Sequence, residues 1–456
     1  MQHIQGISRH QLQMSSLEDK ITADNPVRFI DAFVNHIDAV KIGFQPKILK
    51  TEGRPNFRLE VFLKLYLYGY LNGVRSSRRL EKECFRNIEV QWLLEAIYPN
   101  YHSIADFRKD NPKALKQLFK LFVSFLKDAE LIAGDTIAID GTKSRAHNSK
   151  KANYNQKKID KHKAYIDAKS QEYLDQLEQN DIQENPVAIK NIQQKIERLK
   201  QNKIKYELLE EELKNSGEPQ ISTTDADARA LLVQGQVVEV SYNIQAAVDS
   251  KHNLVVATHT INRNDKNALA AIALEVKENL ALETFTVLVD KGYHNGRELH
   301  TCKQNNITTI VAVPEQGKSN ENGTQPEYLV SKFIYNKENN SYTCPEGKTL
   351  TTTGSWHKKT GRTEESGYNF QKYRTPACKT CLVKDLCTSR NGGREIDRSQ
   401  YADAVEENHQ RYKDNPQLYR KRQEINEHIF GTIKRKWGYN YTDLVGLEKV
   451  NGEHSL

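Results

Sequence analysis

The chain has 456 residues, with 67 Lys and Arg against 59 Asp and Glu and a formal net charge of +8. That length exceeds one small core and implies several domains. No run approaches the ~18 apolar residues of a membrane span and no apolar leader opens the chain, so a cytoplasmic protein without a membrane partner is expected. The mild basic excess fits a polyanionic partner without requiring one, and six cysteines in this length do not make a disulfide scaffold.

Residues 1–130 read as an all-α domain. Runs such as "RLEVFLKLYLYGYLNGVRSSRRLEKECF" and "KALKQLFKLFVSFLKDAE" place apolar residues at helical spacing. Within the first run Arg75, Arg78, Arg79, Lys82 and Arg86 span an arc within reach of one DNA groove or backbone, although a solvated helix face would look the same. From 131 to 149 and from 217 to 316 the pattern is α/β. Short β-rich runs appear at "TIAID", "YNIQAAVD", "NLVVATHTI", "TFTVLVD" and "TTIVAVP", with helices at about 265–281 and 295–305.

Residues 150–216 interrupt this core. Ile159, Ile166 and Tyr173 recur every seven residues, and Ile189, Ile192, Ile196 and Leu199 keep three-four spacing. With "ENP" between the two sets, the segment reads as a charged antiparallel helical hairpin. Residues 317–400 read as irregular and rich in Gly, Thr and Cys. Residues 401–456 contain a strongly basic helix, "YRKRQEINEHIFGTIKRKWGY", and stop at "GLEKVNGEHSL".

Chemistry concentrates at two strand ends. "TIAID" finishes on Asp140 and "TFTVLVD" on Asp290, which presents two carboxylates at the C-terminal edge of a sheet, where open α/β folds place ligands. A single aspartate there is more often a turn former or a cap. Two together repel each other, and an oxygen-ligated divalent ion such as Mg²⁺ is the economical way to hold them. "DGT" after an apolar strand also occurs in phosphatases that use a covalent aspartate, but Ala138 stands where that nucleophile belongs. Cys344, Cys378, Cys381 and Cys387 supply one CxxC and two further thiols, the donor set of a closed structural Zn²⁺ site in a segment short of core. Cys84 and Cys302 fall in helical patterns as small core residues.

The segments "RSSRRLE", "HSIADFRKDNP", "IDGTKSRAHNS", "STTDADARALL", "SYNIQAAVDSKHNLV", "VLVDKGYHNGREL", "CPEGKTL" and "EHIFGTIKR" occur in this order. Over about residues 10–456 the chain resembles bacterial insertion-sequence transposases of the DDE class whose core is interrupted by insertions. The resemblance implies an RNase H-like core in which three acids bind two Mg²⁺ or Mn²⁺ ions. Asp140 and Asp290 match the first two. Glu424 and Glu427 compete for the third; the family places a lysine seven residues after the acid, which Lys434 satisfies for Glu427 and Gly431 does not for Glu424. The family also places an arginine four residues before the acid and a tyrosine three earlier still. Tyr419 and Arg422 keep their mutual spacing, but Gln423 stands four before Glu427.

Lys143, Arg145, His147, Arg422, Lys434, Arg435 and Lys436 are then expected along DNA phosphates, since Lys and Arg are poor proton donors at neutral pH. The implied partners are the element's terminal inverted repeats and target double-stranded DNA, with a homodimer on the two ends compatible and association with the nucleoid following from DNA binding. The implied activity is cleavage at the element ends and 3′-OH strand transfer. A degenerate, inactive copy that only binds DNA is the alternative. Similar transposases continue through a further apolar helix, so residues 446–456 are expected to form a frayed helix start with exposed apolar side chains.

Overall fold

The computed structural model of the chain describes residues 3, 6–45, 55–182, 186–234, 237–314, 324–361 and 367–456. The first body is helical: α1 (Pro26–His36), α2 (Leu59–Leu71), α3 (Ser77–Arg86), α4 (Ile88–Leu93), α5 (Tyr101–Asp110) and α6 (Pro112–Asp128). Asparagines start several of these helices. The Asn25 side chain accepts from the Val27 amide with Pro26 in the first turn, and Asn87 and Asn100 cap α4 and α5. The body closes on α2, whose Leu63, Leu65 and Tyr66 are buried, and on the stacked rings of Phe44, Phe62 and Phe107.

The second body is built on a mixed sheet. Its elements are β1 (Thr136–Arg145), β2 (Asn153–Tyr154), α7 (Gln156–Ile182), α8 (Pro186–Ser216), β3 (Ile221–Ser222), β4 (Arg229–Gln234), β5 (Val237–Asp249), β6 (Val255–Ile261), α9 (Leu269–Asn279), β7 (Phe285–Val289), α10 (Gly296–Gln304) and β8 (Ile307–Val311). The strands run in the order β4-β5-β1-β7-β8, with β6 also on β5. β5 lies antiparallel to β1, β4 and β6, whereas β7 and β8 run parallel to β1 and to each other. One difference from expectation matters for the site: β1 does not end at Asp140 but continues to Arg145, because β5 is long enough to pair with it from Asp249 back to Ser241. Only the parallel neighbour stops, at Val289.

α7 and α8 pair as an antiparallel hairpin, with residues 183–185 outside the described residues. Lys163 meets Glu210 at 2.9 Å and Lys203 meets Asp167 at 2.7 Å across the seam. The pair leaves the sheet through a two-residue ribbon, β2 on β3.

The Cys-rich segment is more ordered than its composition implies. It holds two three-stranded sheets, one of β9 (Ile334–Asn336), β10 (Ser341–Thr343) and β11 (Thr349–Leu350), the other of β12 (Trp356–Lys359), β13 (Tyr368–Tyr373) and β14 (Ile396–Ser399), with the short helix α11 (Lys384–Cys387) before β14. Phe333, Tyr342, Leu350, Tyr373 and Ile396 give it a small core of its own. Arg398 stacks on Tyr335 at 3.6 Å and hydrogen-bonds the Tyr342 hydroxyl at 2.9 Å, while its ion pairs with Asp403 and Glu406 join the segment to the next helix.

That helix is α12 (Ala402–Asp414), followed by α13 (Pro416–Gly431), a π-helical turn over Thr432–Lys436, and α14 (Leu447–His454). Contrary to the frayed end expected, α14 is seated on α6 and β6. Val450 is fully buried, worth about 1.5–3 kcal/mol, and Leu456 packs against the N-terminal core. Among the described residues no helix is long and apolar enough to cross a membrane.

Candidate active site

Asp140 and Asp290 come together at the edge where the parallel part of the sheet ends. The β1–β7 register pairs Ala138 with Leu288, so the two aspartates, each two residues further on, stand level on neighbouring strands. Asp140 takes the Gly141 amide on Oδ1 at 2.8 Å, and Asp290 caps the turn Lys291–Tyr293 by accepting from the Gly292 amide at 2.7 Å. Burial pushes the Asp140 carboxyl above its ordinary value, the Arg422 guanidinium partly offsets this, and the charges of Asp290 and Asp265 push it further up. Two carboxylates level on neighbouring strands are the kind of donor pair a divalent cation takes.

Alternation along β1 separates two faces. Ala138 and Asp140 lie on the side covered by α13; Ile137, Ile139, Gly141 and Lys143 lie on the other, which packs on α9. On that second face sits a residue that sequence reasoning missed. Asp265, in the turn after β6, accepts from Asn243 at 2.7 Å and Gln245 at 2.9 Å, and pairs with Lys143 at 3.2 Å. Burial would raise its carboxyl, but these donors and the Lys143 charge hold it below the usual range. Gln245 in turn accepts from the fully buried Tyr293 hydroxyl. Lys143 therefore faces Asp265 with 14% of its side chain exposed, and is not a free phosphate contact as expected.

From the late helix, Arg422, with 14% of its side chain exposed, places Nη1 3.5 Å from Asp140 Oδ2, so its charge is engaged by a carboxylate rather than left free for DNA as expected. One turn on, Ile425 packs on Ala138, Val248 and Leu288, and Asn426 is 1% exposed with neither Nδ2 nor Oδ1 hydrogen-bonded. Glu424 and Glu427 are both exposed. The Lys434 ammonium donates to the Lys143 carbonyl at 2.9 Å, and burial, then Lys143, push its pKa down. Among the described residues, no three His, Cys, Asp or Glu side chains converge closely enough to hold a metal ion. The structure thus unites the first two expected acids and leaves the third outside.

The remaining expected cations divide. Arg78, Arg79, Lys82, Arg86, Arg145, His147, Arg435 and Lys436 are exposed, with Arg78 over the Tyr101 ring, Arg86 paired with Glu83 and Arg145 with Glu239 at 3.1 Å. Arg75 is a correction. It is 8% exposed, donates to the Tyr441 carbonyl at 2.9 Å, stacks on Tyr439 and Tyr441, and lies 3.7 Å from Glu453 and 3.9 Å from Asp443. Its charge is spent inside the protein, so it is not a DNA contact.

Cys344, Cys378, Cys381 and Cys387 are unbridged and line one small pocket of about 30 Å³. The Cys344 sulfur accepts from the Lys348 amide at 3.3 Å. Gly393, at φ +91°, approaches so closely that a Cβ there would stand 2.4 Å from the Cys378 Cβ.

Two family models match the chain. Residues 15–110 match a transposase domain of the DUF772 type, and residues 343–456 match a transposase DDE domain. Asp140 and Asp290 lie between the two matches, while Arg422, Asn426 and Glu427 lie inside the second. No curated protein and no solved structure matches the chain.

Proposed function

We propose that the chain, which matches two transposase family models over residues 15–110 and 343–456, is an insertion-sequence transposase of the DDE class that cuts DNA at the ends of its own element and joins the freed 3′-OH to target DNA. The observation that carries this reading is the level pair Asp140 and Asp290 at the end of the parallel strands, with Arg422 from the late helix on Asp140. The sheet, with β5 and β6 antiparallel and β7 and β8 parallel to β1, supports an RNase H-like core. The α7–α8 hairpin and the Cys-rich segment are then its insertions.

In this reading Asp140, Asp290 and Glu427 are the metal ligands. Two Mg²⁺ or Mn²⁺ ions, when bound, supply joint stabilisation of the attacking and leaving oxygens. Arg422 orients Asp140 and offsets its charge. Arg145, Lys434, Arg435 and Lys436 hold the phosphate backbone beside it, and Arg78 and Arg79 serve the terminal inverted repeats. The four cysteines are read as a structural Zn²⁺ site from their donor chemistry, one CxxC and two further thiols lining one pocket, which would have to draw closer to share one ion.

The test compares Asp140→Asn, Asp290→Asn, Glu427→Gln and Glu424→Gln in Mg²⁺-dependent cleavage and strand transfer on DNA carrying the element's ends. The first three are expected to lose roughly a thousandfold or more while keeping DNA binding. Activity in either aspartate variant would sink the mechanism. Loss in Glu424→Gln with retention in Glu427→Gln would move the third acid, and an inactive unmutated protein that still binds the ends would favour the degenerate copy. For the cysteines, about one equivalent of zinc in fully reduced protein is expected; less than about half would overturn that assignment.

A further inference from the structure

Resting on the reading of Glu427 as third acid, we infer that α13 has a second register, in which the π-helical turn moves upstream of Glu427 and the Glu427 carboxylate takes the place now held by the Asn426 amide.

Three observations lead there. Arg422 is tied to Asp140, which fixes the face that α13 turns to the sheet. The residue one turn later on that face is Asn426, whose amide is buried with both polar atoms unpartnered, a cost of about 1–3 kcal/mol. Immediately downstream, Thr432–Lys436 is π-helical and so accommodates one residue more than an α-helix would.

A π turn marks where the phase of a helix slips by one residue. With the turn at 432–436, residues before it follow the phase set by Arg422, and Asn426 faces the sheet. With the turn upstream of Glu427, each residue between the two places moves up by one. Phe430 then replaces Ile429, apolar for apolar, and His428 replaces Glu427 on the exposed side. At the site itself the exchange is an amide for a carboxylate. The contact of Lys434 with the Lys143 carbonyl lies within the present turn, at the downstream limit of the slipped stretch.

The two registers differ in charge. A third carboxylate beside Asp140 and Asp290 is unfavourable alone and favourable around a divalent cation, so cation binding and the slip are coupled. Asn426 is the neutral occupant that tolerates the cation-free state.

The test measures Mn²⁺ affinity by calorimetry and the melting temperature of the full chain with and without Mn²⁺. Asn426→Leu places an apolar side chain beside Ile425 and Ile429. It is expected to raise the metal-free melting temperature and to weaken Mn²⁺ binding by about tenfold or more, since Leu must leave for Glu427 to enter. Glu427→Gln should weaken binding equally without raising the melting temperature. Asn426→Glu combined with Glu427→Gln carries the acid on the face already turned inward, and should regain Mn²⁺ binding with no slip required. Wild-type affinity in Asn426→Leu, or failure of the double variant to regain binding, overturns the inference while leaving Glu427 as ligand. Unchanged affinity in Glu427→Gln removes the third-acid reading and this inference with it.

Discussion

Gly141 follows the first acid and carries no side chain, and the space a Cβ would need is already filled. It would stand 2.4 Å from Gln245 Nε2 and 2.5 Å from Asp265 Oδ1. Gly141→Ala is therefore expected to destabilise by about 1–3 kcal/mol, read as a lower urea midpoint. Asp265→Asn should cost a similar ~1–3 kcal/mol at neutral pH by stripping Lys143 of its partner. The Asp265 carboxyl is held below its unfolded value, so its contribution is present above the unfolded pKa and is lost as pH falls through the folded one. The gap between wild type and Asp265→Asn should thus narrow as pH falls below the unfolded carboxylate value towards the folded one; a gap that stays constant through that fall would show that the carboxylate charge is not its source. Asp140 and Asp290 were legible because apolar alternation leads straight into each. Asp265 was not, since one aspartate in "NRND" reads as a turn, and its value comes from Asn243 and Gln245, side chains of another strand.

At the scale of elements, β1 was legible only to Asp140. "TKSR" reads as a loop because it is polar, but it pairs with an equally polar stretch of β5, and partner length decides where a strand stops. The helical hairpin was legible throughout, since heptad spacing is local information. Its attachment was not. Asn153 opposite Ser222 and Tyr154 opposite Ile221 bring the two ends of the hairpin side by side. Replacing residues 157–215 by a short Gly-Ser linker is therefore expected to leave the melting temperature of the remainder within a few degrees, checked by calorimetry; loss of cooperative unfolding would show that the hairpin supports the sheet. The Cys-rich segment was read as irregular because strands of two to six residues carry too little periodicity to see.

Across the whole molecule, the helical body and the C-terminal segment meet over a buried cluster of charge. Arg108 lies 3.3 Å from Asp443 and donates to the Arg75 carbonyl at 3.4 Å and to the Tyr70 hydroxyl at 3.1 Å. The Glu453 carboxylate accepts from the backbone amides of Asp443 and Leu444 at 2.9 and 3.0 Å. Such partners, hundreds of residues apart, leave no local trace in a sequence, which is why Arg75 read as a surface cation. Glu453→Gln should leave Arg75 and Arg108 under-compensated and cost about 3–5 kcal/mol. In a background with Trp356 and Trp437 replaced by Phe, fluorescence of Trp92 in the helical body and far-ultraviolet circular dichroism should show one shared, lowered transition; separate transitions without the Glu453 change would show that the two bodies do not depend on each other.

The cluster also sets an order of events during synthesis. When the ribosome has made the helical body, Arg75 and Arg108 are already in place, but Asp443 and Glu453 are still unmade, as are Tyr439 and Leu456, which complete its apolar packing. A nascent chain arrested before residue 443 is expected to be cleaved readily by protease within residues 59–128, and one extended past 456 by a linker long enough to clear the exit tunnel to resist. The body that arises first in translation is therefore completed only once residues 439–456 have been made and have packed onto it.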